Sequence, residues 1–292
     1  FDVVMETKFG TTYNSYFINA EKKTIIETAK ETFRNLYLKK VREVTDPAEI
    51  EYIVLNHTEP DHSGSFPYVI REFPNVKVLT TRVGLSILNN LYGVNFNYQI
   101  ISDELRISLG SRALKFIQVP WLHWPDTFVS YLIDDKILFS CDAFGSYGAL
   151  TSGYWETEYS HIHSNLSKRY FANIVAAYRQ HVLKAIEKLS RYEIEVIAPA
   201  HGPLIKDVKG AVERYIKWSK PTFEKKVVIV YSSMYGSLDN AVKYVAKGVE
   251  EEGVKVIVMK VPETAATYVL SELLDAPVIA IGVPTYDAHA FP

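Results

Sequence analysis

The chain has 292 residues, enough for about two domains of roughly 100–200 residues each, and its 48% hydrophobic and 23% charged residues match an average globular composition with a sizeable core. A net charge of −2 and a pI near 6.5 exclude the basic face that nucleic acid demands, and the lack of any run of about 18 apolar residues argues against a membrane span. The one cysteine, Cys141, excludes an intrachain disulfide and any cluster built on several thiolates.

Any metal must therefore be held by His, Asp and Glu. A lone thiol suits a reducing cytoplasm, and the chain opens at Phe1 with no basic n-region of a signal peptide. Residues 11–28 alternate as strands do, with runs at 13–18 and 24–27, and helical periodicity follows over 29–41. A short apolar strand at 51–55 opens into a polar, turn-rich segment at 56–64. Further strands are predicted at 77–80, 114–118, 128–133 and 137–140, a long helical stretch at 169–189, and a strand at 195–198 running into 199–203. Strands alternating with helices, with polar loops at strand ends, describe a layered α/β fold.

Pro221 interrupts the helical pattern near 219–224, and the pattern changes beyond it. Residues 226–231 form a continuous apolar run of the kind buried in parallel sheets. A loop at 232–237, a helix at 238–252, a strand at 254–261, a helix around 270–274 and a strand at 278–282 complete a βαβαβ series. An open sheet of this type needs about five strands, so a second domain from 223 to 292 is expected to be incomplete, after a first domain at 1–222.

The densest chemistry lies in His57-Thr58-Glu59-Pro60-Asp61-His62, directly after a strand. Side chains two apart in an extended backbone share a face, so His57, Glu59 and Asp61 are expected to enter one cavity. A turn after Pro60 would bring His62 to a second metal. The plainer alternative is a polar loop whose acids and imidazoles cap each other. Three further residues favour the metal. His123 sits in the apolar surround Pro120-Trp121-Leu122-His123-Trp124-Pro125-Asp126, while Asp142 and His201 each follow a predicted strand, where α/β sheets place their sites. His161, His163, His181 and His289 lack a motif and are read as surface or structural; Cys141 is read as a small buried strand residue. In the second part, Ser232-Ser233-Met234-Tyr235-Gly236-Ser237 precedes a helix and offers hydroxyls and N–H groups to a phosphate. No GxxxxGK[ST] is present, which disfavours a nucleoside triphosphate.

The order HxExDH, LHWPD, a lone Asp and a final HG, with Gly10-Thr11-Thr12-Tyr13-Asn14-Ser15-Tyr16 upstream, resembles the flavodiiron proteins of the metallo-β-lactamase superfamily. Hydrolytic members of that superfamily usually carry HxHxDH and zinc; Glu59 in place of the second His gives harder oxygen ligation and favours iron. The resemblance implies a metallo-β-lactamase-like αββα sandwich followed by a flavodoxin-like, doubly wound parallel sheet. It implies two non-heme irons, one on His57, Glu59, His123 and Asp142 and the other on Asp61, Asp142 and His201, with Asp142 bridging and His62 a further ligand. It places FMN on the 232–237 loop and on Pro284, Thr285 and Tyr286. The implied activity is reduction of O2 to water, of NO to N2O, or both. Electrons would come from rubredoxin or a reduced flavoprotein, in a head-to-tail homodimer or a dimer of dimers. The competing expectation is a zinc-dependent hydrolase of the same fold.

Overall fold

A computed structural model describes residues 5–73, 75–149, 151 and 153–290. Among these residues the strands form two five-stranded sheets, one three-stranded sheet and a short hairpin. The first sheet takes β1 (Tyr16–Ile18), β2 (Lys23–Ile26), β3 (Ile50–Val54), β4 (Lys77–Thr80) and β5 (Asn97–Ile100) in that order. β1 is antiparallel to β2, and the rest run parallel. The second sheet runs β6 (Arg106–Ser108), β7 (Ala113–Gln118), β8 (Phe128–Leu132), β9 (Ile137–Cys141) and β10 (Val196–Pro199), antiparallel except where β10 joins β9.

Period-two alternation decides which face each strand buries. On β3, Tyr52 and Val54 face the second sheet, whereas Ile53 faces outward to helices. Ile26, Tyr52, Val54 and Leu79 meet Leu114, Phe116, Phe128 and Phe139 between the sheets. Phe116 and Phe128 pack edge to face at 5.8 Å, both without solvent exposure. Burying each such side chain stabilises the fold by about 1.5–3 kcal/mol, which fixes the sheets face to face. Helices α1 (Arg34–Val44), α2 (Pro60–Ser63), α3 (Phe66–Glu72) and α4 (Arg82–Tyr92) follow in the first half, and Tyr37, Phe66 and Leu88 cover the outer face of the first sheet. Helices α5 (Ser160–Tyr170), α6 (Arg179–Leu189) and α7 (Val208–Ser219) cover the second sheet through Leu166, Val182 and Tyr215. The result is the expected αββα sandwich.

Beyond α7, strands β11 (Lys226–Tyr231), β12 (Lys255–Lys260) and β13 (Val278–Gly282) are all parallel in the order β12-β11-β13. Helix α8 (Ser237–Glu251) packs Val242 against Ile229 and Tyr231 on one face, and α9 (Ala266–Leu273) packs Val269 against Val228 on the other. A last hairpin pairs β14 (Thr285–Tyr286) with β15 (His289–Ala290). No helix among the described residues is long and apolar enough to cross a membrane.

Several boundaries differ from the sequence expectation. The helix read at 29–41 is a short 3-10 turn, Glu31–Phe33, followed by α1, which continues to Val44. The strand read at 13–18 pairs only over β1. The stretch read as one helix at 169–189 is α5, a π turn at Phe171–Val175, a 3-10 turn at Ala176–Tyr178 and then α6. Apolar periodicity runs through that break, so pattern alone cannot detect it. The helix read around 270–274 begins earlier, as α9. β5, β6 and α4 carried no reading; α4 is signed locally by Thr81, whose hydroxyl accepts from the Gly84 N–H, and by Gly93 at φ +58° after its last turn.

Candidate metal centre

β3 delivers Leu55, Asn56 and His57 to the carboxyl end of the parallel sheet, where loops between strands and helices gather ligand-binding groups. Two hydrogen bonds staple this loop to the second sheet: Ser130 Oγ donates to Asn56 Oδ1 (2.6 Å), and the Phe128 N–H donates to the Asn56 carbonyl (2.9 Å). A third, from Thr58 Oγ1 to Asp126 Oδ2 (2.8 Å), ties the HxExDH loop to the LHWPD loop. Asp126 is thus a brace rather than a ligand, a role the sequence reading did not give it.

The extended backbone carries His57 and Glu59 to one cavity, but the alternation ends at Pro60, the first residue of α2. Asp61 and His62 arrive on the first turn of that helix, adjacent in sequence and both buried. A helical turn, not strand alternation, brings them in. His123 comes from the loop before β8, Asp142 follows β9, and His201 follows β10. Cys141 adopts φ +56°, a left-handed conformation rare for a residue with a side chain, and it turns the chain so that Asp142 leaves the strand into the cavity.

Asp142 stands at the centre. Its Oδ2 lies 2.8 Å from His57 Nε2 and 3.1 Å from His123 Nε2. Its Oδ1 lies 3.2 Å from both His62 Nε2 and His201 Nε2, and accepts a hydrogen bond from Tyr170 Oη at 2.9 Å. One carboxylate therefore divides four imidazoles two and two. Glu59 Oε2 completes the first side, 3.3 Å from His123 Nε2 and 3.6 Å from His57 Nε2. Asp61 completes the second, with Oδ2 3.2 Å from His201 Nε2 and Oδ1 3.6 Å from His62 Nε2. His57, Glu59, His123 and Asp142 have donor atoms within 4.8 Å of one another, and so do Asp61, His62 and His201. All seven residues singled out in the sequence meet here, and Glu59 and His201 face one shared cluster.

The outer atoms of the imidazoles are also held. His201 Nδ1 lies 2.5 Å from the Thr12 carbonyl, which can only accept, so this nitrogen donates and Nε2 is aimed at Asp61 and Asp142. Nδ1 of His62 faces Glu27 Oε2 at 3.7 Å, and Glu27 is itself buried. Two further neighbours lacked a sequence signal. Tyr170 lies within a helix and outside any motif, and Glu27 sits in a strand-like run. Cys141 is buried as expected, yet its sulfur also falls within 4.8 Å of donor atoms on His57, His62 and Asp142.

Electrostatics support a site built for positive charge. Burial opposes ionisation of His123, but the carboxylates of Asp142 and Glu59 outweigh it and lift its pKa to about 10. His201 is likewise penalised by burial and carried up to about 9 by Asp142 and Asp61. Burial is overcome at His62 too, whose pKa the charges of Asp61 and Asp142 hold well above the usual imidazole value. Burial raises the Asp142 carboxyl, yet the surrounding imidazoles hold it well below the carboxylate range. Bound metal would supply the positive charge that these protons otherwise provide. Three polar atoms lining the cavity, His57 Nε2, Asp61 Oδ1 and His62 Nε2, are buried without a well-directed hydrogen bond, although carboxylate or imidazole atoms stand close to each. Such atoms are costly unless a ligand satisfies them, so the donor set fits two hard cations.

The second loop also sits at the carboxyl end of its sheet. The Ser232 N–H donates to the Gly282 carbonyl (3.0 Å), joining the segments that hold 232–237 and 284–286. Ser233 Oγ accepts from the Gly236 N–H (3.1 Å), and Gly236, at φ +85°, turns the loop into α8. That left-handed position suits glycine. The first-turn N–H groups of a helix have no intrahelical acceptor, which is the arrangement a phosphate uses. Met234 and Ser237 flank this turn. Tyr235 is 90% exposed, and Tyr286 lies half exposed on the hairpin.

A family model described as "ODP family beta lactamase" matches residues 11–202. The chain is 31% identical to the nitric oxide reductase of Moorella thermoacetica over 290 residues, covering 98% of this chain and 73% of that one. It superposes on the rubredoxin oxygen:oxidoreductase of Desulfovibrio gigas with a TM-score of 0.96 at 31% identity, covering 100% of this chain and 74% of the other. The flavodiiron protein of Giardia intestinalis gives a TM-score of 0.94 at 34% identity, with 98% and 71% covered. The family model over residues 11–202, the matched length of these three relatives and the shared fold lead to one conclusion: this chain belongs to the flavodiiron proteins, with an ODP-type beta-lactamase domain at its amino-terminal side.

Proposed function

We propose that the chain is a flavodiiron oxidoreductase that reduces O2 to water, NO to N2O, or both. The observation that carries this is the division of the Asp142 carboxylate between two sets of donors. His57, Glu59, His123 and Asp142 would hold one iron, and Asp61, His62, Asp142 and His201 the other. Residues 1–222 would form the diiron domain and 223–292 an incomplete flavodoxin-like part, with FMN phosphate on Ser232, Ser233, Met234, Tyr235, Gly236 and Ser237 and the ring against Pro284, Thr285 and Tyr286. Two ferrous ions and a reduced FMN together supply four electrons, the number that turns one O2 and four protons into two waters; two NO and two protons need only two, giving N2O and one water.

The chain's own groups prepare the site for that chemistry. Tyr170 Oη donates to Asp142 Oδ1 and fixes the plane of the shared carboxylate. Thr12 and Glu27 orient the imidazoles of His201 and His62 from behind, as partners of metal-bound histidines do. Glu59 is a quarter exposed and His123 slightly so, while the other five residues are buried, so small substrates enter from the Glu59 side.

The names of the relatives, nitric oxide reductase and rubredoxin-oxygen oxidoreductase, support both gases as substrates and rubredoxin as donor, with a reduced flavoprotein as the alternative donor. Glu59, which replaces the imidazole of zinc hydrolases, argues against a hydrolase. In a head-to-tail homodimer the flavin of one chain would reach the irons of its partner; an active, fully loaded monomer on gel filtration would contradict that arrangement. The deciding experiment mixes the reduced protein anaerobically with O2 and with NO in separate stopped-flow runs, following iron and flavin bands. Rapid oxidation by at least one gas is expected. Two zinc ions per chain, esterase turnover and no gas consumption would reverse the reading.

A further inference from the structure

The end of α5 is gripped by the second part of the chain, and the same turn of helix carries Tyr170. Arg169 is buried. Its Nε and Nη2 donate to Thr267 Oγ1 on α9 (3.2 and 2.7 Å), and Nη2 also donates to the Glu6 carbonyl. Its guanidinium lies 3.7 Å from the ring centre of Tyr268 and 5.0 Å from that of Tyr147. Tyr147 in turn packs edge-on against Tyr170 at 5.4 Å. One turn later, Asn173 Nδ2 donates to both the Arg169 carbonyl (2.7 Å) and the Thr267 carbonyl (3.1 Å), inside the π turn. Thr267 thus receives three of these bonds, and the consecutive residues Arg169 and Tyr170 connect it to Asp142.

A guanidinium bound through two nitrogens and stacked between two rings has a fixed position, and its helix neighbour Tyr170 shares that rigidity. π turns break regular helical bonding and recur at functional sites. The geometry points to Arg169 as a positioning residue. Through it, docking of α9 sets the hydrogen bond from Tyr170 to Asp142, so the flavodoxin-like part tunes the iron site by contact as well as by electron supply. This inference rests on Asp142 as the shared iron ligand.

The test uses Thr267→Val, which removes the hydroxyl at almost constant volume, alongside Thr267→Ser, which keeps it. In the metal-free protein, Thr267→Val is expected to speed amide hydrogen exchange across residues 169–175, and Thr267→Ser to leave it unchanged. In protein loaded with 57Fe, Thr267→Val is expected to shift the Mössbauer parameters in the same direction as Tyr170→Phe. The double variant should then match Tyr170→Phe alone, because the two act through one hydrogen bond. If Thr267→Val does not fold, Tyr268→Leu removes the stacking ring and gives the same pair of readings. Unchanged exchange at 169–175 would overturn the coupling. So would Mössbauer shifts that simply add in the double variant. Failure of the unmodified protein to bind two irons would sink the diiron reading instead, and the exchange data would still judge the contact.

Discussion

Raising the pH of the metal-free protein should weaken it, by an amount set by two imidazoles. His123 is lifted from 6.5 to about 10 and His201 from 6.5 to about 9, both against the cost of burial and both by carboxylates that include Asp142. Because the folded values exceed the unfolded one, the native state holds the extra protons. The stabilisation is complete below about pH 6.5 and disappears as the pH rises through 9 and then 10. At about 1.4 kcal/mol per pH unit, His201 contributes about 3 kcal/mol and His123 about 5 kcal/mol, and the two are not additive because they share Asp142. The smaller figure alone lowers the melting temperature by about 6–12 °C between pH 6.5 and 9, at about 2–4 °C per kcal/mol for a domain of this size. In iron-loaded protein the same nitrogens would hold metal instead of protons, so its melting temperature should change less and the gap between the two forms should widen with pH. Calorimetry on chelator-treated and iron-loaded samples across this range reads both curves. Parallel curves, or a metal-free melting temperature that stays flat to pH 10, would refute the reasoning.

Asp142→Asn should leave fewer than two irons per chain and abolish nearly all gas consumption, checked by metal analysis and an oxygen electrode; two retained irons with normal turnover would remove Asp142 from its central place. Glu59→His rebuilds the HxHxDH pattern and exchanges a hard oxygen for a borderline nitrogen donor. Grown with both metals present, that variant should carry a higher zinc-to-iron ratio than the unmodified protein, and an unchanged ratio would count against Glu59 as the selector. Gly236→Ala forces a side chain into a left-handed conformation at φ +85°, a cost of about 1–2 kcal/mol. It should lower FMN affinity severalfold in a fluorescence titration while leaving iron content intact, and equal affinity would show that the loop does not hold the phosphate.

A layered α/β fold, the parallel strands after Pro221 and a run of acids and imidazoles at strand ends were legible from local rules, whereas the αββα order and the assignment of all seven cavity residues to two metals came from the family resemblance. Buried strands alternate or run apolar, and acids and imidazoles at strand ends are too costly to strand without a purpose. Pro60 shows where local rules stop. It ends the strand-like alternation, and a helical turn takes over the delivery of Asp61 and His62. The break between α5 and α6 left no trace in the apolar pattern, since it is held by Asn173 and by Thr267 from a distant helix.

The sequence by itself determined which atoms are available for metal: hard oxygen and imidazole donors, no thiolate cluster, and a carboxylate where hydrolases place a histidine. Only the tertiary structure decided how they are shared. Asp142 faces two pairs of imidazoles because β9 and β10 run side by side and the left-handed turn at Cys141 swings the carboxylate between loops that are up to 144 residues apart, from His57 to His201. Tyr170, Glu27, Asp126 and Arg169 acquired their roles in the same way, from neighbours that chain connectivity does not announce. Spacing along a chain reports the face a side chain takes within its own element, whereas the partner across the cavity depends on how separate elements pack.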